Sequence, residues 1–331
     1  MKSSTKKSSL LVWHVALLAV TVLFTNMTCL SEAASYPEQD ITFVVPFRPG
    51  GGLDTQARLL APFIKKYLPK QVNVVIENQP TAGGKVGALK VFGAKPDGYT
   101  IGILAPNSVA LLNAKGEIGK TKLADLAYLC RTTYAPYMLT LSARTQFKNI
   151  SEMRGQRVRF GGTTSVVFQA AMIAQQLGAK MVFVTYDGFP DASMAAMRGD
   201  VDATFFNWDS GIKHVEASEG KLKTIFIASE KRLPELPNLP TAKEAGLALD
   251  RDVISVMAAH NVVLAPAGLS PEVKGSLEKA VQKAINDPEL GIQMQKANYF
   301  VKPLTPKETK DYVLGIASLY LKYKGMIDEV K

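Results

Sequence analysis

Short apolar runs alternate with helical patterns along the first third of the chain. The runs "DITFVVPF" (40–47), "VNVVIEN" (72–78) and "YTIGIL" (99–104) are rich in β-branched residues and predict strands. Between the first two runs, apolar residues recur at helical spacing from Ala57 to Ile64. Strands that alternate with helices in this way are typical of parallel βαβ units.

A second series of the same kind begins near residue 156. Extended stretches near 128–141 and 230–262, the latter rich in proline, separate it from the rest of the chain. We therefore expect two lobes, 36–136 plus 257–331 and 137–256, with a ligand cleft between them. The strands predicted for this series are 156–162, 181–188, 200–208 and 221–229.

Three positions bear on where the helices begin. Asp54 is a candidate N-cap for the first helix, and Ser270 followed by Pro271 is the expected start of a helix near the C-terminus. Pro62 lies inside the first helical pattern, where a proline usually bends or ends a helix.

Residues 1–35 have the three parts of a secretory signal. Lysines at the start precede the apolar run "LLVWHVALLAVTVLF" of 15 residues, and the small residues of "SEAAS" follow. We expect this leader to be cleaved. A membrane anchor is the alternative, although the run is short against the ~20 residues that span a bilayer. Lipidation at Cys29 is a weaker alternative, because residues 26–28 are a poor approach to a lipidated cysteine.

The charge of the chain favours small anions over nucleic acid. Formal net charge is +10, and loss of the leader with its three lysines and Glu32 leaves +8. The remaining basic residues are scattered, which does not suit nucleic acid, whereas a modest positive field attracts small anions. Cleavage leaves one cysteine, Cys130, among apolar neighbours, so we expect an inert buried thiol.

Two glycine-rich segments each follow a predicted strand. Gly50–Gly52 and Gly83–Gly84 lie where a strand turns into a helix, and such loops present free amide groups and the positive end of a helix dipole to an anion. The alternative is that the glycines only make tight turns. Two loops at matching positions favour anion binding, and a carboxylate suits both.

Neither loop fits a nucleotide site. A P-loop requires Gly-Lys followed by Ser or Thr, and neither loop has it. The Rossmann fingerprint fails because position 55 is Thr where the third glycine is needed.

Several longer motifs then occur in order from residue 36 to about 320. In combination they are specific, and the chain resembles the TctC-like substrate-binding proteins of tripartite tricarboxylate transporters, also called the Bug family. The motifs are Pro46-Phe47-x-Pro49-Gly50-Gly51-x-x-Asp54-x-x-Ala57-Arg58, Glu77-Asn78-x-Pro80-Thr81-Ala82-Gly83-Gly84-x-x-Gly87, Pro96-Asp97-Gly98-Tyr99-Thr100, Pro240-Thr241-x-x-Glu244-x-Gly246 and Ala265-Pro266-Ala267-Gly268.

The resemblance implies an α/β fold: a two-lobed, type II-like periplasmic-binding-protein fold with a mixed, mostly parallel sheet flanked by helices in each lobe. It implies a monomeric periplasmic protein that closes over a small organic carboxylate and delivers it to the membrane subunits of a transporter. The acid is a mono- or dicarboxylate, an aromatic acid or an acidic amino acid. No cofactor, metal or nucleic acid is expected.

The family holds the carboxylate through the first two loops, and the matching positions here are the candidate site. Asp54 is either a helix cap or a ligand contact, and Arg48 either pairs with a distal carboxylate or is solvated. Thr164 and Phe168 replace the glycine and histidine of the family's segment at 162–168, which leaves the ligand's identity open, and Phe168 either lines the cleft or belongs to the core. The candidates are Pro46, Phe47, Arg48, Gly50, Gly51, Gly52, Asp54, Asn78, Thr81, Ala82, Gly83, Gly84, Asn107, Ser108, Thr163, Ser165, Phe168, Tyr186 and Asn207.

Catalysis is poorly supported by the sequence. After the leader, His214 and His260 are far apart with no cysteine partner, and neither a G-x-S-x-G elbow nor a metal-ligand cluster occurs. We therefore expect a binding protein and no enzyme. Two alternatives remain open: a secreted α/β hydrolase or isomerase, and an accessory protein that presents its ligand to a membrane sensor kinase.

Overall fold

A computed structural model describes residues 36–163, 166–186 and 188–325. The predicted leader 1–35 lies outside the described residues. The described strands are β1 Ile41–Val45, β2 Val74–Asn78, β3 Thr100–Leu104, β4 Ala127–Ser142, β5 Arg157–Gly162, β6 Lys180–Thr185, β7 Ala203–Asn207, β8 Leu222–Ile227, β9 Ala258–Ala265 and β10 Val301–Leu304. The described helices are α1 Gly52–Tyr67, α2 Lys85–Phe92, α3 Pro106–Ala114, α4 Val167–Leu177, α5 Phe189–Arg198, α6 Trp208–Glu216, α7 Arg251–Val256, α8 Pro271–Ile285, α9 Pro288–Lys296 and α10 Pro306–Lys322.

The strands pair in the order β2-β1-β3-β9-β4-β7-β5-β6, with β8 and β10 also bonded to β4. Each half contains a parallel group, β2-β1-β3 in one and β6-β5-β7 in the other. The pairs made by β4 are antiparallel. Strand β3 is also antiparallel to β9, so five of the nine described strand pairs are antiparallel. This confirms the predicted α/β class with a mixed sheet and flanking helices, in which the parallel pairs are confined to the two groups of three strands.

Strand β4 passes from one half of the sheet to the other. Its pairing with β9 extends to Pro136, and from Tyr137 onward its partners are β7 and β8. The change of partner falls at the predicted boundary of the lobes, although the full division of the chain at 136 and 257 stays a prediction. The stretch predicted to be extended at 128–141 is thus one 16-residue strand.

Strand β1 shows why the parallel strands are so apolar. Ile41, Phe43 and Val45 belong to one buried cluster with α1 and α8, whereas Val44 points to the other face and packs with Val91 of α2. A parallel strand covered by helices on both faces has no solvated side. Across the described ranges, every helix is too short or too polar to span a lipid bilayer.

The helix starts differ in part from the predictions. Ser270 is confirmed as an N-cap, since its hydroxyl accepts from the Val273 amide at 3.3 Å, and Pro271 follows as the first helical residue. The Asp54 prediction is wrong, because Gly51 is the N-cap of α1 and Asp54 is the third helical residue. Helix α1 continues through Pro62, whose ring is on the exposed face.

Candidate ligand-binding site

The first glycine loop connects β1 to α1 and is organised by Asp54. One carboxylate oxygen of Asp54 accepts from the Gly50 amide and from Arg58 Nε, both at 2.8 Å. The other oxygen accepts from Asn78 Nδ2 at 2.9 Å, and the same amide nitrogen donates to the Phe47 carbonyl. Gly50 has φ of +79°, a value that glycine adopts without strain. The loop is therefore folded back onto the start of α1.

The charge of Asp54 is satisfied inside the protein. Burial alone would raise the pKa of this carboxyl, but hydrogen bonds from Arg58, the Gly50 amide and Asn78 outweigh it and hold the pKa below its ordinary value. Only 2% of the residue is exposed. The role that this geometry supports is fixing the loop, whose turn is closed by the Gly51 amide donating to the Arg48 carbonyl at 3.3 Å, so that the start of α1 keeps one orientation.

The second glycine loop, Thr81–Gly84, lies behind the first one. Ala82, Gly83 and Gly84 all have positive φ, of 53°, 62° and 90°. A Cβ on Gly84 would approach the Pro46 carbonyl oxygen to 3.0 Å, and one on Gly87 would approach the Cα and Cβ of Pro46 to 2.8 Å. The second loop thus supports Pro46 and holds the first loop in place.

This contact makes Gly87 sensitive to substitution. We expect Gly87→Ala to lower the free energy of unfolding by about 1–3 kcal/mol, because the added methyl overlaps backbone atoms that cannot rotate away. Urea denaturation of the purified protein measures it. Gly275→Ala is the matched control, since it lies inside α8 with open space around it and should be neutral or stabilising by up to ~1 kcal/mol. Equal changes in the free energy of unfolding for the two variants would contradict the close contact between Gly87 and Pro46.

The described residues enclose a cavity of about 450 Å³ between the two lobes. Both lobes contribute to its wall, and the first loop forms one side of it. The wall consists of Phe47, Arg48, Pro49, Gly50, Gly51, Gly52, Leu53, Gln56, Ala105, Asn107, Tyr137, Thr163, Gly188, Phe189, Pro190, Asp191, Phe206, Asn207, Gly211, His214, Ala259, His260, Asn261 and Tyr299.

Helix N-termini from both lobes converge on this cavity. Gly51, Ala105, Gly188 and Asn207 are the N-caps of α1, α3, α5 and α6, and each N-cap is on the wall, as is Thr163 just before α4. The first amides of a helix have no internal partners, and the helix dipole adds positive potential there. The cavity is therefore electrostatically suited to a small anion.

The predicted site residues divide into three groups. Those on the cavity wall are Phe47, Arg48, Gly50, Gly51, Gly52, Asn107, Thr163 and Asn207. Those placed elsewhere among the described residues are Pro46, Asp54, Asn78, Thr81, Ala82, Gly83, Gly84, Ser108, Phe168 and Tyr186. Ser165, like the substituted Thr164, lies outside the described residues. Ligand binding by any of these residues stays a prediction.

Phe168 requires a correction, because it does not line the cavity. Its side chain is fully buried, and its ring stacks on Tyr320 of α10 at a centroid distance of 4.2 Å. The neighbouring Gln169 donates to the Val256 carbonyl at 2.8 Å, which ties α4 to the end of α7. Phe168 thus packs in the core where α4 and α10 meet.

Asn107 is on the wall, and its side-chain amide nitrogen donates hydrogen bonds to backbone carbonyls of the protein. Asn107 Nδ2 donates to the carbonyls of Val256 and Ala258 at 3.2 and 3.1 Å. These bonds attach the start of α3 to the segment that leads from the second lobe into β9. Asn107 is only 2% exposed, so its side chain fixes the wall at this position.

Sequence reasoning missed a buried polar group beneath the first loop. Gln56 Oε1 accepts from Asn261 Nδ2 at 3.0 Å and lies 3.4 Å from the hydroxyls of Thr132 and Thr133. Gln56 and Asn261 are on the wall, and together the four residues attach α1 to β4 and β9. Gln56 is on the buried face of α1, which is otherwise mostly apolar. A polar residue on that face was the sequence feature that could have indicated a buried hydrogen-bonding group.

His260 was also missed. It is 1% exposed, its Nδ1 lies 2.6 Å from the Tyr312 hydroxyl, and its ring contacts Tyr134. Burial, together with the nearby charge of Arg131, lowers the pKa of His260 to about 3, so the imidazole is neutral. A neutral buried histidine on the wall is a hydrogen-bonding group without a charge.

The described residues contain no group of His, Cys, Asp and Glu that could hold a metal ion. Burial raises the pKa of the Cys130 thiol to about 12, which fits the expected inert cysteine. What the cavity offers chemically is recognition, through amides, aromatic rings and a few polar side chains.

Comparison with known proteins identifies the family. Residues 57–330 match the family model TctC, described as tripartite tricarboxylate transporter family receptor. A UPF0065 protein of Bordetella bronchiseptica is 28% identical over 291 residues, which are 83% of this chain and 81% of that protein.

Two solved structures from Rhodopseudomonas palustris share the fold. MatC with bound malate has a TM-score of 0.70 and 23% identity, covering 87% of this chain and 100% of that one. Rpa4515 with adipate has a TM-score of 0.75 and 23% identity, covering 88% and 98%. The fold and the family are those of solute-binding proteins, and the chain belongs to the TctC family of tripartite tricarboxylate transporter receptors.

Proposed function

We propose that this protein is an extracytoplasmic receptor that captures a small organic carboxylate in the cavity between its lobes. It then delivers the acid, as a monomer, to the membrane subunits of a tripartite tricarboxylate transporter. Export through the leader 1–35 would place it in the periplasm. The protein acts by binding alone, without catalysis or a cofactor.

The observation that carries this proposal is the convergence of helix N-termini from both lobes on one cavity. In this proposal one carboxylate accepts hydrogen bonds from the first amides of α1, starting at Gly52, with Thr163 and Asn207 approaching it from the second lobe. Closure of the lobes then brings further helix N-termini toward the same charge.

The relatives support the same ligand class. The structures of MatC and Rpa4515 hold malate and adipate, both small organic acids. The matching family is described as a transporter receptor, which supports delivery to a membrane partner.

Thermal unfolding of the purified protein with a panel of organic acids tests the ligand class. At a concentration of 100 times its Kd, a bound acid adds roughly 2.7 kcal/mol of stability, so at least one acid should raise Tm by several degrees. Its neutral amide should not, because an amide lacks the charge that the helix N-termini favour.

X-ray scattering provides the second readout. The acid that raises Tm should also make the protein more compact, whereas its amide should leave the scattering curve unchanged. Equal Tm shifts by the acid and its amide, or no shift with any acid, would contradict carboxylate recognition.

A further inference from the structure

The two sides of the cavity carry different charge. On the first lobe, the wall is formed by the loop amides together with the exposed Arg48. On the second lobe, the charged side chain of the wall within the described residues is Asp191, an acid. A ligand that spans the cavity therefore meets helix N-termini on both sides and, on the second lobe, the carboxylate of Asp191 at the start of α5.

Asp191 is well placed to act on a ligand through its charge. It is exposed and lies in the first turn of α5, where the helix dipole favours a negative group. Among the described residues, no lysine, arginine or histidine lies within ion-pair distance of its carboxylate. Within the described chain its charge is therefore offset by the dipole of α5 and not by a cationic side chain.

Aromatic rings form part of the second-lobe wall. The rings of Phe189 and Phe206 have centroids 6.5 Å apart, and Tyr137 lies 6.5 Å from Phe189. Phe47 and Tyr299 add aromatic surface on the first lobe. These three rings pack on one another, and Phe206 and Tyr137 are only 1% and 2% exposed, so they border the cavity by their edges beside the half-buried Phe189 and make this end of it apolar.

We propose that the preferred ligand is an aromatic monocarboxylate, and this inference rests on the proposed function. The carboxylate binds at the first glycine loop, and the ring packs against Phe189 at the apolar end of the cavity that Phe206 and Tyr137 border. A second carboxylate at the far end of the ligand would face Asp191 and be repelled by its like charge. His214, whose ring stacks on Phe206 at a centroid distance of 6.4 Å, also lines this side.

Isothermal titration of the purified protein with benzoate and with terephthalate, its para-dicarboxylate analogue, tests the inference. We expect benzoate to bind at least tenfold more tightly than terephthalate. Asp191→Asn should reduce that ratio to threefold or less. Asp200→Asn is the matched control, since it removes an exposed acid of the same lobe that pairs with Arg198 away from the cavity, and it should leave the ratio unchanged.

The outcomes separate the inference from the proposed function. Equal or tighter binding of terephthalate, adipate or another dicarboxylate would overturn the inference and leave carboxylate capture intact. A benzoate-to-terephthalate ratio that Asp191→Asn does not change would also overturn it. Tighter binding of L-phenylalanine than of benzoate would do the same and indicate a zwitterion, whereas failure of every acid to bind would overturn both proposals.

Discussion

Replacing Phe168 with alanine is expected to lower the free energy of unfolding by about 3–5 kcal/mol. The ring is fully buried and stacks on Tyr320, with Tyr323 at 6.0 Å, so truncation leaves a cavity between α4 and α10. Urea denaturation measures the loss. The ligand affinity of the folded variant should change little, because the residue is not part of the cavity wall.

Two further variants sharpen this prediction. Phe168→Leu retains most of the apolar volume and should cost less than the alanine variant. Phe300→Ala removes a half-buried ring that stacks on Trp208 at 4.6 Å, and it should cost less than Phe168→Ala. A small stability loss for Phe168→Ala together with a large loss of affinity would instead place this residue in the ligand site.

Acid is expected to destabilise the protein through His260. The pKa of His260 in the folded protein, about 3, lies below the ordinary value of ~6.5 that it regains on unfolding. The unfolded chain therefore binds a proton first as pH falls, and the free energy of unfolding drops below pH 6.5. The loss is about 2 kcal/mol between pH 7 and pH 5 and on the order of 4–5 kcal/mol by pH 3.

The window from pH 7 to pH 5 isolates this histidine from the carboxylates. Acids such as Asp54, with a pKa held below the ordinary value, contribute stability that is lost only at lower pH. In urea titrations, His260→Gln should show little change between pH 7 and pH 5, whereas His214→Gln should retain the wild-type drop. The same drop in His260→Gln as in the wild type would rule out this assignment.

The fold could be predicted from the sequence because its strands and helices follow from patterns within short segments of the chain. Strands β1, β2 and β3 are β-branched runs, and each half of the sheet repeats the strand–helix alternation that imposes parallel pairing. Ser270 and Pro271 mark a helix start by local chemistry alone. Two short elements were not predicted: α7 lies inside the stretch 230–262 that was expected to be extended, and β10 has four residues, so their patterns carry little information.

The residues that form the cavity wall were harder to predict, because they are brought together by contacts between segments that are distant in the sequence. Phe168 occupies a motif position, yet nothing local shows that its ring points toward α10. Gln56 and His260 are 204 positions apart and line one cavity only because α1 and β9 meet there. The sequence located both glycine loops correctly. It could not show that Thr81–Gly84 packs behind Pro46 and away from the cavity wall, because that arrangement depends on three-dimensional packing.

Strand β4 belongs to the ladders of both halves, and this has a mechanical consequence. A rotation of one half against the other must twist this shared strand, since its bonds to β9 on one side and to β7 and β8 on the other resist separation. Pro136, at the change of partners, has no amide hydrogen to donate, so the ladder is weakest there. Strand β4 thus connects the two halves mechanically, and any rotation between them would be taken up most easily at Pro136.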